Sequence, residues 1–222
     1  MSEYEIEPIP GLPGIPPPGE RILWQGSPEW RALARTAFHT RLIAGYFALL
    51  LGWAILAAAS NGAGDLTGVV TTAVLGVIVI VLLHLLAWGS ARTTIYTLTN
   101  RRIVLRFGVA LQKAVNLPLK QIAAADAKPV GTGHADIAFR TLERFPLGWL
   151  QMWPHVRPWA VGRPQPMLRG VPAGVAVTIA NALAQADPAL AQADPALALS
   201  DPAMVRPAAA PIRVASALEA AA

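Results

Sequence analysis

Two long uncharged stretches dominate the pattern of hydrophobic and polar positions along the chain. The first, Leu42–Gly64, has 23 residues, and the second, Leu66–Ala91, has 26. As helices, at about 1.5 Å per residue, both are long enough to cross a bilayer core of about 30 Å. Only a short polar turn separates them. The pattern therefore predicts a transmembrane hairpin with helices at 42–60 and 66–91.

The charges that flank the hairpin predict its orientation. Arginines lie before the first span and after the second, whereas the turn between the spans has one acid, Asp65, and no base. Basic residues collect on the cytoplasmic side of bacterial membranes, so both termini are predicted to be cytoplasmic. The flanking bases are Arg21, Arg31, Arg35 and Arg41 before the hairpin, and Arg92, Arg101, Arg102 and Arg106 after it.

After the hairpin, apolar residues recur at every second position instead of at helical spacing. Alternating runs at 94–99, 103–107, 113–117 and 137–139 predict short strands, and Ile22–Trp24 predicts another before the membrane. Strands of this length separated by turns are typical of a small antiparallel sheet or barrel. A closing helix is predicted at 173–186, where apolar residues recur at helical spacing.

The predicted organisation has a cytoplasmic domain interrupted by the hairpin. A Pro-rich cytoplasmic leader (1–19) precedes the first strand and pre-membrane segment (20–41), and the rest of the domain follows the hairpin (92–186). Trp24 and Trp30, before the hairpin, suit either the headgroup level of a bilayer or a protein core. The remaining 187–222 carries a seven-residue repeat with a proline in each unit, which predicts a disordered tail rather than a coiled coil.

The net charge of +5 is unevenly distributed. From Arg92 to Pro172 there are twelve bases and three acids, a balance that draws a membrane-attached domain toward anionic headgroups. Nucleic acid is the competing interpretation of a basic domain; it is disfavoured because membrane attachment already accounts for the charge.

Nothing in the sequence indicates catalysis. The chain has no cysteine, and no hydrolase elbow, zinc-protease pair or dinucleotide loop occurs. His134 and Asp136 share one face of a predicted strand without a third partner, so a structural role is favoured. We therefore expect a non-enzymatic protein with no metal and no cofactor. His84 is the only ionisable group inside a span; it suits either pigment ligation or, more simply, interfacial anchoring and packing.

Three groups of residues are candidates for contacts with partners. The Pro- and Trp-rich segment 146–172 is predicted to be an ordered, irregular surface segment or edge strands, and Trp and Arg often dominate binding energy. The pair Arg101–Arg102 suits either a partner's anionic group or plain solvation at a turn. A small-residue stripe in the first span suits helix packing, within the hairpin or with a partner. The residues are Trp149, Trp153, Arg157, Trp159, Arg163 and Arg169; Arg101 and Arg102; and Ala44, Ala48 and Gly52.

Several motifs carry a resemblance to known families. The segments 19–26 (GERILWQG), 96–104 (YTLTNRRIV) and 117–122 (LPLKQI), with a hairpin between the first two, resemble membrane-anchored bacterial pleckstrin-homology-like (PH-like) domains. The segments 149–159 (WLQMWPHVRPW) and 163–169 (RPQPMLR) extend the resemblance, over about 5–186, to the PuhB family of photosynthetic complex assembly proteins of purple bacteria.

The resemblance implies both a fold and a role. The fold is α+β: a transmembrane hairpin inserted in a small, bent antiparallel β-barrel of seven strands with a C-terminal capping helix. The role is to assist formation of the photosynthetic reaction centre and light-harvesting 1 complex. The implied partners are reaction-centre subunits, light-harvesting 1 polypeptides and lipid, with a second copy of the chain as a further candidate. The implied location is the bacterial inner, intracytoplasmic photosynthetic membrane. A generic membrane-surface module that binds anionic lipid or another protein is the alternative.

Overall fold

A computed structural model of the chain describes residues 9, 11, 12, 14–60, 66–109 and 111–186. The turn at 61–65, the tail at 187–222 and most of the Pro-rich leader lie outside the described residues. The elements are β1 (Ile22–Gly26), α1 (Trp30–Thr36), α2 (Thr40–Ser60), α3 (Thr67–Thr93), β2 (Ile95–Thr99), β3 (Arg102–Phe107), β4 (Lys113–Pro118), β5 (Ile122–Pro129), β6 (His134–Thr141), α4 (Trp149–Met152), β7 (Met167–Pro172) and α5 (Val175–Ala186).

The two uncharged stretches form α2 and α3, which pack against each other as the hairpin pattern predicts. Both helices are long and apolar enough to cross a membrane, and hardly any of their apolar length is buried within the protein. One close approach joins them: a Cβ added to Gly76 of α3 would lie 3.1 Å from the ring of Phe47 on α2. Their outward faces are apolar and exposed, as in Leu49 and Val74.

The strands form two antiparallel sheets rather than the closed barrel expected from the sequence. One sheet has the order β1-β2-β3-β4 and the other the order β5-β6-β7. Pro118 ends β4, and the 3₁₀ turn Leu119–Gln121 then leads the chain into the second sheet. Within the described residues no ladder joins β4 to β5 or β1 to β7, so the sheets do not close. The hairpin is inserted between β1 and β2, which pair directly, Trp24 opposite Leu98.

The main core lies between the two sheets and α5. Ile103, Leu105 and Phe107 of β3 all point into it, as their alternation predicts. The amphipathic α5 places Ile179 and Leu183 against the same core, so the capping helix expected at 173–186 is confirmed with its start at Val175.

The short helix α1 was not predicted. Glu29 caps it, since its carboxylate accepts hydrogen bonds from the backbone N–H groups of Arg31 (2.9 Å) and Ala32 (2.6 Å). Leu33 packs with Ala87 of α3 in a second apolar cluster. With only 7 residues and one large aliphatic side chain, α1 is too short to show a period. It joins the start of α2 to the domain.

Candidate interaction surface and its buried support

The Pro- and Trp-rich segment forms an extended loop on an ordered base. After α4, Val156 pairs with Pro166, and two backbone bonds continue the pairing: Arg157 N–H donates to the Gln165 carbonyl (2.9 Å), and Met167 N–H to the His155 carbonyl (3.0 Å). We call residues 157–165 the Trp159 loop. The expectation of an ordered surface segment holds for this loop, whereas β7 beyond it is almost wholly buried at the edge of its sheet.

The tip of the Trp159 loop exposes apolar side chains. Trp159 is 91% exposed and Val161 62% exposed, and Arg163 is also exposed. Trp159 has a φ of 63°, in the left-handed region that non-glycine residues rarely adopt. Leu150, on α4 before the loop, is 79% exposed. A large indole in solvent and a strained backbone are both unfavourable in isolation, and their coincidence is typical of a contact site.

Other predicted interaction residues hold the loop in place. Trp149 is half-buried, and its Nε1–H donates to the Arg157 carbonyl (3.0 Å). Arg157 Nη1 donates to Asp126 Oδ2 on β5 (2.9 Å). Trp153 is 39% exposed and meets Phe38 edge to face, with ring centroids 5.1 Å apart. Phe38 lies between α1 and α2, so the loop is anchored beside the entry to the hairpin.

The burial of Arg169 corrects the prediction that this residue contacts a partner. Its side chain is buried, and the guanidinium is surrounded by internal acceptors. Nε donates to the Pro154 carbonyl (2.5 Å) and Nη2 to the Val156 carbonyl (3.0 Å). Nη1 donates to Thr36 Oγ1 (3.0 Å) and lies 3.4 Å from Asp136 Oδ2. Arg169 therefore fixes the base of the Trp159 loop to α1 and β6.

The Arg169–Asp136 pair is a buried ion pair with its charges largely satisfied. Asp136 Oδ1 also accepts the backbone N–H of Gly170 (2.8 Å). Burial raises the pKa of Asp136, and the charge of Arg169 opposes that rise. Burial also lowers the pKa of Arg169, against the attraction of Asp136. Each charge therefore depends on the other, because either alone would be buried without a counter-charge.

A hydrogen-bonded chain links this pair to the end of α3. Thr94 Oγ1–H donates to the Ser90 carbonyl (2.7 Å), so its oxygen accepts from His155 Nε2 (3.1 Å). His155 Nδ1 then accepts the hydroxyl proton of Tyr96 (2.7 Å), whose oxygen accepts Arg169 N–H (3.2 Å). Every donor finds an acceptor only when His155 carries its proton on Nε2.

The same chain keeps His155 neutral. Burial, with the nearby positive charge of Arg169, lowers the pKa of His155 to about 3. A second proton on Nδ1 would face the Tyr96 hydroxyl, whose oxygen already accepts from Arg169 N–H. Burial raises the pKa of Tyr96. The groups of this cluster are buried and hydrogen-bonded to one another, so they form an internal support for the base of the Trp159 loop.

The Arg101–Arg102 pair lies apart from the Trp159 loop. Arg101 lies in the turn between β2 and β3, and Arg102 is the first residue of β3, so both are at the end of β2 that is distant from Thr94. Arg102 makes a two-pronged ion pair with Glu20, with Nε–Oε1 at 2.8 Å and Nη2–Oε2 at 3.1 Å. Arg101 is exposed, and its Nη2 donates to the Pro18 carbonyl (3.3 Å). Arg102 therefore holds the segment before β1, which leaves Arg101 as the exposed member of the pair.

The remaining predicted residues lie on the hairpin. Ala44 and Ala48 line a groove between α2 and α3, whereas Gly52 has open space where a Cβ would stand. His84 Nδ1 lies 2.7 Å from the Ile80 carbonyl, and because that oxygen only accepts, Nδ1 carries a proton. The His84 ring is edge to face with Trp30 of α1, at 6.2 Å between centroids.

Sequence reasoning missed most of the buried support. Tyr96 and His155 were not recognised as a pair, because 59 residues separate them along the chain. A usable signal was a charged residue between apolar or small neighbours in each of two strands: Asp136 between Ala135 and Ile137 in β6, and Arg169 between Leu168 and Gly170 in β7. Opposite charges on buried neighbouring strands indicate a buried pair.

Comparison with known proteins agrees with this architecture. The bacterial PH domain family matches residues 40–141, which cover the hairpin and β2 to β6. An uncharacterised 23.7 kDa protein in the puhA 5′ region of Rhodobacter capsulatus is 35% identical over 192 residues, 84% of this chain and 88% of that protein. No solved structure matches the chain.

The fold and the match together define a bacterial PH-like domain interrupted by a pair of long apolar helices. The chain belongs to the same family as the Rhodobacter capsulatus protein from the puhA 5′ region.

Proposed function

We propose that the protein is a PuhB-type, non-enzymatic assembly factor that assists formation of the reaction centre and light-harvesting 1 complex. In this proposal α2 and α3 span the inner, intracytoplasmic membrane with both termini in the cytoplasm. The PH-like domain then lies on the cytoplasmic surface, and the Trp159 loop contacts a subunit of the immature complex.

The exposed Trp159 is the observation that carries the proposal. A 91% exposed indole on a left-handed backbone position is expensive to maintain in water, and tryptophan is frequent among residues that dominate protein interfaces. Val161 and Arg163 add an apolar and a cationic contact beside it. This combination suits a protein surface with an apolar pocket and a nearby acid.

The support beneath the loop fits recognition at the membrane. Arg169 binds two carbonyls of the loop base, and His155 ties that base to Thr94 at the end of α3. The loop is therefore presented at a fixed position relative to the hairpin. A partner that has both membrane helices and a cytoplasmic face can engage both at once. The relative's position beside puhA agrees with such a role.

The test is a substitution that removes the contact and leaves the fold intact. Trp159→Ala, alone and with Arg163→Gln, is expected to lower the amount of assembled reaction-centre complex at least tenfold at normal levels of the variant in the membrane. Assembly is measured from the absorption spectrum of isolated membranes, and variant levels by immunoblot. Leu142→Ala, at another exposed apolar residue (67% exposed), is the matched control. Normal assembly in the Trp159→Ala strain would refute the contact.

Capture of partners gives a second readout. Gentle detergent extraction of the full chain should co-purify reaction-centre or light-harvesting 1 polypeptides, and Trp159→Ala should reduce that yield while Leu142→Ala does not. Recovery of the chain with lipid alone would contradict the assembly role and favour the membrane-surface module.

A further inference from the structure

A cationic cavity lies where α1 packs beside α2 and α3. Its volume is about 330 Å³, and its lining includes Arg31 and Arg35 from α1, Arg41 from α2 and His84 from α3. Trp30 forms another part of the wall. The described residues that line the cavity include no carboxylate. The cavity therefore has the charge of an anion site.

Among the described residues, no ion pair joins the cavity's three arginines to an acid. The ion pairs formed in the described part of the chain involve other arginines. Arg31 lies over the Trp30 ring, 5.2 Å from its centroid, and Arg35 Nε donates to the Arg31 carbonyl (3.0 Å). Arg31 and Arg41 are exposed and Arg35 is half-buried. Three arginines thus line one cavity, and no described carboxylate lines it with them.

An apolar groove continues from this cavity along the hairpin. It has a volume of about 320 Å³ and shares Ala44 and Ile80 with the cavity. From there it follows the contact between α2 and α3 past Ala48 and Gly76 as far as Leu51. From Ala44 to Leu51 the helix rises about 10 Å. The small side chains keep the groove open, since a larger residue at Ala48 would fill it.

We propose that this path binds one anionic phospholipid, with its phosphate among Arg31, Arg35 and Arg41 and one acyl chain in the groove past Ala48. A cationic end joined to an apolar channel matches the two parts of such a lipid. Arg41 is in the first turn of α2, where the apolar helix begins, so the phosphate lies at headgroup level. His84 Nδ1 is already bonded to a carbonyl, which leaves Nε2 to accept from a headgroup hydroxyl. The inference rests on the membrane placement of the hairpin and not on the assembly role.

The experiment measures lipid retained by the full chain. The protein is reconstituted in phosphatidylcholine nanodiscs that contain a minor fraction of phosphatidylglycerol, and bound lipid is titrated by native mass spectrometry after mild detergent extraction. The head variant is Arg31→Gln with Arg35→Gln and Arg41→Gln. Its control, with the same change of charge at exposed sites elsewhere, is Arg21→Gln with Lys113→Gln and Arg144→Gln. The groove variant is Ala48→Leu, and its control is Gly52→Leu, one turn further along the same face but outside the groove.

The head variant should weaken phosphatidylglycerol binding by about fivefold per arginine, or roughly a hundredfold in all. Ala48→Leu should weaken it at least tenfold, and neither control should change it more than twofold. If the head variant does not fold, as judged by gel filtration and circular dichroism, Arg41→Gln alone should show the fivefold loss.

Three results would overturn the lipid site. Equal losses in the head variant and its charge control would show diffuse attraction. Unchanged binding in Ala48→Leu would exclude the acyl chain from the groove. Displacement of the lipid by inorganic phosphate would show a free-anion site instead. Carbonate extraction of native membranes tests the premise separately, because release of the parent protein would refute membrane insertion itself, whatever the lipid result.

Discussion

Replacement of Arg169 by methionine tests the buried support of the Trp159 loop most directly. Methionine keeps an unbranched apolar stem and removes the guanidinium, so Asp136 loses its counter-charge. Two loop carbonyls, of Pro154 and Val156, lose their donor at the same time. Breaking a buried ion pair from one side costs about 3–5 kcal/mol. For a protein of this size that corresponds to a fall in Tm of about 6–20 °C.

The loss should depend on pH in a definite direction. Burial raises the folded-state pKa of Asp136 above its unfolded value of about 4. The folded protein therefore holds this proton to higher pH than the unfolded chain does, and stability falls as pH rises through the folded pKa. Arg169 opposes the rise in pKa, so Arg169→Met raises it further. The deficit of the variant relative to the parent should be smallest near pH 4 and grow toward pH 8.

The assay is thermal unfolding of the full chain in lipid nanodiscs at several pH values, followed by near-ultraviolet circular dichroism. Arg163→Met is the matched control, since Arg163 is exposed on the same segment; its Tm should stay within about 2 °C of the parent. Adding Asp136→Asn to Arg169→Met removes the unpaired charge and should recover most of the loss at pH 8. A deficit that does not change with pH, or an unchanged Tm in Arg169→Met, would refute the buried-pair argument.

Two further substitutions test neighbouring parts of the same support. Burial lowers the folded-state pKa of His155 to about 3, so the parent should lose stability as pH falls from about 6.5, at up to about 1.4 kcal/mol per pH unit. His155→Gln should remove this slope, and parallel stability curves for the two proteins would contradict it. Gly170 has a φ of 56°, and an added Cβ would lie 2.9 Å from Ala32 on α1. Gly170→Ala should cost about 1–3 kcal/mol in urea unfolding, whereas Gly174→Ala, in open space, should change stability by less than about 0.5 kcal/mol; equal effects would exclude the close contact with α1.

The fold was predictable where a pattern extended over many residues. The uncharged runs of α2 and α3 and the alternation in β3 each indicate an element, because a long apolar run favours a helix and a strand with one buried face has a period of two. The separation of the strands into two open sheets was not predictable, because it depends on the single turn Leu119–Gln121, which leads the chain from β4 into the second sheet. The helix α1 was missed because its stability comes from contacts with α3 rather than from its own period.

The candidate site, like the fold, was predictable from the sequence only in part. The composition of the segment 146–172 indicated a recognition surface, and Trp159 lies exposed in it. Composition alone could not separate exposed residues from supporting ones. Arg163 and Arg169 are six positions apart in a similar context, yet one is in solvent and the other is buried against Asp136. The difference arises because Arg169 lies on β7 beside Asp136 of β6, and these two residues are 33 positions apart in the sequence.

The buried cluster connects the base of the Trp159 loop to the end of α3. Thr94 terminates α3, and its hydroxyl begins the chain of bonds that ends at Arg169. Arg169 in turn donates to Thr36 at the end of α1, which packs on α3. Any tilt of α3 relative to the domain would therefore have to break buried hydrogen bonds, each of which is costly to leave unmade. The position of the hairpin and the position of the Trp159 loop are consequently set together, so a partner that binds one is presented with the other in a fixed geometry.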